Sequence, residues 1–178
     1  MAPSILGLRK IAPLRTMACQ VRDNKIPGLV AEVGVYKGGV LLDLAEIFKD
    51  HQVLGYDTFR GMPQEHWISD EYVQPGQFNE TSLAEVQQLV MHHPNIRLIA
   101  GIFPDTGIEG KYAFVHLDVD FYRSTFLALE WLVPRMQPGG KIVLDDWGWM
   151  HCPGVMRAVV ELKLRARETT KFQAVVEF

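Results

Sequence analysis

Cysteine is scarce in this chain of 178 residues: only Cys19 and Cys152 occur, far apart and outside any C-x-x-C spacing. That excludes a disulfide framework and a zinc knuckle, and it predicts buried or partly buried thiols in a reducing compartment. Long apolar runs are missing too. No stretch approaches the roughly 20 apolar residues of a membrane span. Arg9, Lys10 and Arg15 near the start are not followed by the apolar core of a secretion signal. Charge of one sign is not in excess, since 18 basic against 21 acidic residues give a net charge of -3, and no run of Lys or Arg offers a surface for phosphates. Together these absences argue against nucleic acid and membrane as partners and predict a cytoplasmic protein. The length predicts one domain, residues 1–178, with a sizeable core.

What is present is alternation. After a weakly patterned segment, 1–26, that holds a short helix around Leu14 to Arg22, strand-like apolar runs alternate with helical periodicity across short Gly or Pro turns. This is the pattern of a mostly parallel sheet covered on both faces, an α/β fold. Leu29 to Val33, Val53 to Tyr56, Ile96 to Ala100, the run around Val115, and Ile142 to Leu144 read as strands. Val40 to Lys49, Ser82 to His92, Thr125 to Met136 and Val155 to Arg167 read as helices. Phe172 to Phe178 reads as a sixth and last strand. Residues 58–81 lack periodicity but carry Trp67, Tyr72 and Phe78, which predicts a segment that packs over a ligand.

Two acidic clusters stand at strand ends, Asp118 and Asp120 in LDVDFY and Asp145 and Asp146 in LDDWG. Each continues an apolar run, so all four carboxylates are expected at the carboxyl-terminal edge of the sheet, where open α/β sheets bind ligands. Carboxylates gathered there repel one another unless a cation compensates or one is kept as a base. One isolated Asp is ordinarily a solvated or capping group; four on two strand ends point to a divalent metal site. Elsewhere, the first strand runs into EVGVYKGG, Glu32 to Gly39, and then a helix. Such a turn lets the backbone approach a ligand and presents helix N-terminal amides, although its Gly-x-x-x-Gly-Gly spacing departs from the G-x-G-x-x-G fingerprint. Asp57, ending the second strand, is placed to accept hydrogen bonds from ribose hydroxyls, which predicts an adenosine-containing ligand.

The motifs AEVGVYKGG, YDTFRGMP, GIFPDT, LDVDFYRST and PGGKIVLDDWG, spread over residues 28–161, resemble the macrocin O-methyltransferase family. The resemblance implies a Rossmann-like class I methyltransferase fold and an S-adenosylmethionine- and metal-dependent enzyme. It implies that Glu32, Gly34, Tyr36, Gly38 and Gly39 hold the methionine part of the cofactor, that Asp57 takes the ribose, and that Gly101, Ile102 and Phe103 flank adenine. It further implies Mg²⁺ held by Asp118, Asp145 and Asp146, with Asp120 as general base and a small-molecule hydroxyl, expected on a sugar, as acceptor. A catechol-type methyltransferase and a non-catalytic cofactor-binding module are the alternatives. Folds of this kind end in a sixth and an antiparallel seventh strand; here the pattern shows no seventh. An unpaired apolar last strand would seek a partner, which predicts a homodimer.

Among the remaining polar residues, His116 inside a strand reads as a packing residue and His151 as better placed to touch substrate. Trp147 and Trp149 suit stacking on an acceptor or sealing the core. Ser124 or Thr125 reads as a helix start, and Arg60 as a contact to substrate or to the 58–81 segment.

Overall fold

The computed structural model describes residues 8–69 and 72–178. Five adjacent strands run parallel, from one edge of the sheet inward: β1 (Leu29–Val33), β2 (Val53–Asp57), β3 (Ile96–Ala100), β4 (Tyr112–Leu117) and β5 (Met136–Trp147). Two more follow, β6 (Ala166–Thr170) and β7 (Phe172–Glu177), and the seven lie in the order β3-β2-β1-β4-β5-β7-β6. β7 is antiparallel to both its neighbours. The helices are α1 (Leu8–Asp23), α2 (Gly39–Ile47), α3 (Leu83–Val90), α4 (Tyr122–Leu132) and α5 (Pro153–Glu161).

Strand alternation divides the core between the two faces. Val30, Val53, Phe114 and Val143 pack with Leu14 and Val21 of α1 and Leu41 and Leu44 of α2, whereas Ala31, Val33, Val115 and Leu144 pack with Leu129 and Leu132 of α4 and Val155 and Val159 of α5. Fully buried Phe48, Tyr56, Phe114 and Leu129 each contribute about 1.5–3 kcal/mol of apolar burial. No helix among the described residues is long and apolar enough to cross a membrane.

The carboxyl-terminal third corrects the reading of the sequence. The last helix stops at Glu161, short of Arg167, and a seventh strand is present: Ala166–Thr170 is β6, and Phe172–Glu177 is β7, inserted between β5 and β6. The helix ends because Lys163 turns left-handed at φ 55, with Leu164 N–H donating to Val159 O and Lys163 N–H to Val160 O. This is a Schellman closure, usually announced by glycine. β7 is therefore flanked on both sides, and the outer strand is the polar, largely exposed ARETT. The open apolar edge that gave the reason for a homodimer does not exist.

The amino-terminal helix is longer than expected, Leu8–Asp23 against Leu14 to Arg22. At α3 the Ser82 hydroxyl donates to Glu85 Oε2 at 2.8 Å and accepts from Glu85 N–H at 3.3 Å, a reciprocal cap that fixes where the helix begins. The reversal of strand order lies between β1 and β4, and their carboxyl ends open a crevice there. That crevice is the site.

Candidate functional site

The turn after β1 is shaped by one close approach. Gly34 has φ 92, and a Cβ there would stand 1.8 Å from the Asp118 carbonyl oxygen, so only glycine lets the end of β1 lie against the end of β4. Asp118 N–H donates to Val33 O and Gly34 N–H to Tyr56 O, both at 2.9 Å, stitching three strand ends together. Tyr36 (φ 49) and Gly38 (φ 81) complete the turn. Gly39 and Val40, opening α2, then line the cavity.

Asp57 anchors this turn. Its Oδ2 accepts from Val35 N–H and Tyr36 N–H, each at 2.8 Å, and its Oδ1 accepts from Phe59 N–H at 2.7 Å. These bonds hold the turns after β1 and β2 side by side and leave one of about four acceptor sites of the carboxylate for a ligand in the cavity that Asp57 lines. Replacing Asp57 with Ala is expected to weaken S-adenosylhomocysteine binding by about tenfold or more, since it removes three charge-assisted bonds along with the acceptor. Divalent-metal affinity should be kept, and unchanged cofactor affinity in calorimetry would refute the role.

Glu32 is buried beneath the turn at 2% exposure. His116 Nδ1 lies 3.2 Å from its Oε1, while Oε2 has no partner. Burial, then the charge of Asp57, pushes the Glu32 carboxyl well above its usual range. Burial also lowers His116 to about 3. His116, read from sequence as packing, is in fact the partner that orients Glu32.

On the other wall, Gly101 (φ 140) leads into Ile102 and Phe103. The Phe103 ring stands edge-on to Tyr56 at 4.8 Å and to Trp131 at 5.2 Å. All nine residues read as cofactor-binding lie along this part of the crevice, and all except Gly38 line the cavity itself.

The acidic cluster lines the same cavity, which measures about 490 Å³, within the ordinary size range of small-molecule sites. One carboxylate oxygen each from Asp118, Asp145 and Asp146 lie within 4.8 Å of one another. Asp120 and Asp146 are held in left-handed conformations, φ 54 and φ 55, which turn them at their strand ends. Such backbone positions are uncommon for Asp and cluster at functional sites. Burial pushes the Asp118 carboxyl well above the usual range, with Asp145 and Asp146 adding repulsion. Asp120 is raised in the same way, by burial first and then by Asp146. Asp145 is pushed up to about 6 by burial and by Asp146, against the pull of Lys10. Asp145 Oδ1 is buried without a hydrogen-bond partner. An all-oxygen set whose repulsion is only partly relieved and which holds one orphaned oxygen fits a hard divalent cation.

Three neighbours have no signal in the sequence. Lys10 Nζ reaches across from α1 to Asp145 Oδ2 at 2.8 Å and Asp146 Oδ1 at 3.0 Å. Cys152 Sγ–H donates to Asp120 Oδ1 at 3.3 Å; burial and the Asp120 charge push the thiol's pKa up, so it acts as a protonated donor. His66 Nδ1 lies 2.9 Å from Ser124 Oγ, and both line the cavity. Ser124 thus faces the cavity, and Thr125 donates to Phe121 O within α4. Neither starts the helix, which Phe121 precedes. Arg60 is exposed and does not line the cavity.

The 58–81 segment packs on this site. Val73 is buried, and Phe78 meets Tyr36 edge-on at 5.9 Å. Thr81 donates to Tyr36 O at 2.8 Å. Tyr72 stacks on His151 at 5.3 Å, and His151 lies parallel to Trp149 at 4.9 Å. Trp149 lines the cavity; Trp147 does not.

Known proteins share both the fold and the sequence pattern. The chain aligns with the solved O-methyltransferase NovP at TM-score 0.86 and 23% identity, covering 98% of this chain and 81% of that one. The calicheamicin methyltransferase CalS11 follows at TM-score 0.78 and 20% identity, covering 97% and 81%. In sequence, the chain is 28% identical over 169 residues to the 8-demethyl-8-(2,3-dimethoxy-alpha-L-rhamnosyl)-tetracenomycin-C 4'-O-methyltransferase of Streptomyces olivaceus, covering 85% of this chain and 65% of that protein. It is 28% identical over 166 residues to the mycinamicin III 3''-O-methyltransferase of Micromonospora griseorubida, covering 82% and 65%. The chain thus spans a little under two thirds of the length of these two relatives. Residues 1–175 match the family described as Macrocin-O-methyltransferase (TylF). The chain belongs to the macrocin O-methyltransferase family.

Proposed function

We propose that this protein transfers the methyl group of S-adenosylmethionine to a hydroxyl on the sugar of a small natural product, at a site that uses a divalent metal. The observation that carries the reading is one cavity lined both by the glycine turn with Asp57 and by the acidic cluster. The names of the relatives, a rhamnosyl-tetracenomycin-C 4'-O-methyltransferase and a mycinamicin III 3''-O-methyltransferase, support a glycosylated acceptor.

The cofactor supplies an activated methyl on a sulfonium. The turn of residues 34–38 and the amides opening α2 would seat its carboxylate, and the unpartnered Oε2 of Glu32 would accept from its ammonium. That incoming positive charge favours the ionised form of Glu32. The remaining acceptor site of Asp57 would take a ribose hydroxyl, and Phe103 would bound the adenine. Asp118, Asp145 and Asp146 would hold Mg²⁺ or a similar cation, which as a Lewis acid lowers the pKa of an acceptor hydroxyl. Asp120 would receive the hydroxyl proton as general base. Methyl transfer is an in-line displacement, so holding the acceptor oxygen near the methyl supplies much of the rate. Trp149 and the covering 58–81 segment would exclude water and fix the acceptor.

The test is methyl transfer from radiolabelled S-adenosylmethionine to a panel of glycosylated and catechol acceptors, with Mg²⁺ and with chelator. Turnover of glycosides that chelation abolishes is expected. Turnover of catechols alone would favour the catechol-type reading, and cofactor binding without any turnover would favour a non-catalytic module.

A further inference from the structure

We infer that Lys10 is a built-in competitor for the divalent cation, so that the acidic cluster's metal affinity is set partly by the first turn of α1. The inference rests on the metal reading proposed above and adds to it a residue from outside the sheet.

The geometry is specific. The Lys10 ammonium is within hydrogen-bond distance of two different carboxylates, Asp145 Oδ2 at 2.8 Å and Asp146 Oδ1 at 3.0 Å, and its side chain is only 19% exposed. A fully solvated lysine gains little from a surface pair and pays rotamer entropy for it; one sequestered against two buried carboxylates is held by a much stronger field. Lys10 thus already neutralises part of the charge that attracts a cation. The orphaned Asp145 Oδ1 is what it leaves open.

A dication entering through that oxygen and Asp118 comes within a few ångströms of the ammonium, at a depth where repulsion is weakly screened. Lys10 must then withdraw or weaken the binding. Its helix is built so that withdrawal is local. Leu14, Ala18 and Val21 are fully buried and anchor the body of α1, but Pro13 lies inside the helix and has no N–H for the carbonyl four residues earlier. The turn carrying Lys10 is consequently tied to the body by one hydrogen bond fewer than an uninterrupted turn, although Ile11 beside it stays in the core, so the withdrawal is mainly that of the flexible lysine side chain. The same contact gives a lysine a use beside acids that a cation could satisfy: it keeps the carboxylates paired and their geometry fixed.

The experiment is a Mn²⁺ titration, read by electron paramagnetic resonance of the free ion, on the wild type, Lys10→Met, Lys10→Arg and Asp145→Asn. Lys10→Met should tighten Mn²⁺ binding by about tenfold, as expected when a neighbouring unit charge is removed from a poorly screened site. Lys10→Arg keeps the charge and should stay near the wild-type affinity, which a purely steric role of the side chain would not produce. If Asp145→Asn loses Mn²⁺ while Lys10→Met binds it no more tightly than wild type, the competition is refuted and the metal site stands. If Asp145→Asn binds Mn²⁺ as well as wild type, the metal site itself is refuted and the competition with it.

Discussion

Asp145→Asn is expected to abolish metal-dependent methyl transfer and to lower divalent-metal affinity by more than about 100-fold, since even outer-shell partners of metal ligands cost 10- to 100-fold when removed. The substitution is nearly isosteric and replaces a carboxylate that is 6% exposed with a neutral amide. It removes buried negative charge beside Asp118 and Asp146, whose mutual repulsion is part of what raises the carboxyl pKa values. The protein should therefore stay folded, with its thermal midpoint in chelator close to that of wild type. The cofactor end of the cavity is formed by other residues, so S-adenosylhomocysteine should bind as before. Loss of activity with folding and cofactor binding intact isolates the metal; full activity with undiminished metal affinity would refute the assignment of Asp145.

Asp120→Asn addresses the proton. A positioned general base contributes about 10²- to 10⁴-fold, and kcat should fall within that range while KM for the cofactor and Mn²⁺ affinity change little. The introduced amide keeps an acceptor oxygen for Cys152 Sγ–H, which in the native protein bonds Asp120 Oδ1 at 3.3 Å, so the left-handed turn should persist. A drop of less than about tenfold would mean that another group takes the proton. A drop accompanied by loss of Mn²⁺ would mean that Asp120 belongs to the metal site, and the separation of roles between Asp118 and Asp120 would have to be redrawn.

The parallel core is legible in the sequence because each of its strands is a short apolar run followed by a Gly, Pro or acidic break, and each covering helix shows a 3.6-residue repeat. Both acidic clusters are legible for the same reason: they directly continue such runs. Of the carboxyl-terminal hairpin, Phe172 to Phe178 is legible as a strand and β6 is not. β6 is ARETT, without apolar alternation, and the turns on either side of it use Lys163 at φ 55 and Phe172 at φ 65 in place of glycine. Nothing in the residue types marks those positions, because the conformation is imposed by the pairing of β7 with β5 and β6. That hidden strand is also why the sequence alone points to a homodimer.

Within the site, local motifs carry the correct neighbourhood but not the full set of contacts. The sequence marks Gly34 as a turn residue, yet the reason for it is the Asp118 carbonyl, far away in the chain. Asp57 reads as a ligand acceptor, and its work of bonding the Val35, Tyr36 and Phe59 amides is invisible without coordinates. Lys10 and its carboxylates are separated by 135 and 136 positions. A basic residue in an amphipathic helix ordinarily points to solvent, and only the packing of α1 against the sheet turns this one inward.

Calorimetric titration of S-adenosylhomocysteine into the folded protein, first in chelator and then with Mg²⁺, tests the central assignment most directly. Micromolar binding in both conditions is expected, because the turn of residues 34–38, Asp57 and the Gly101 turn are built without the acidic cluster. Absence of binding in both, from protein whose circular dichroism and thermal transition show it folded, would contradict the reading of this cavity as a methyl-donor site.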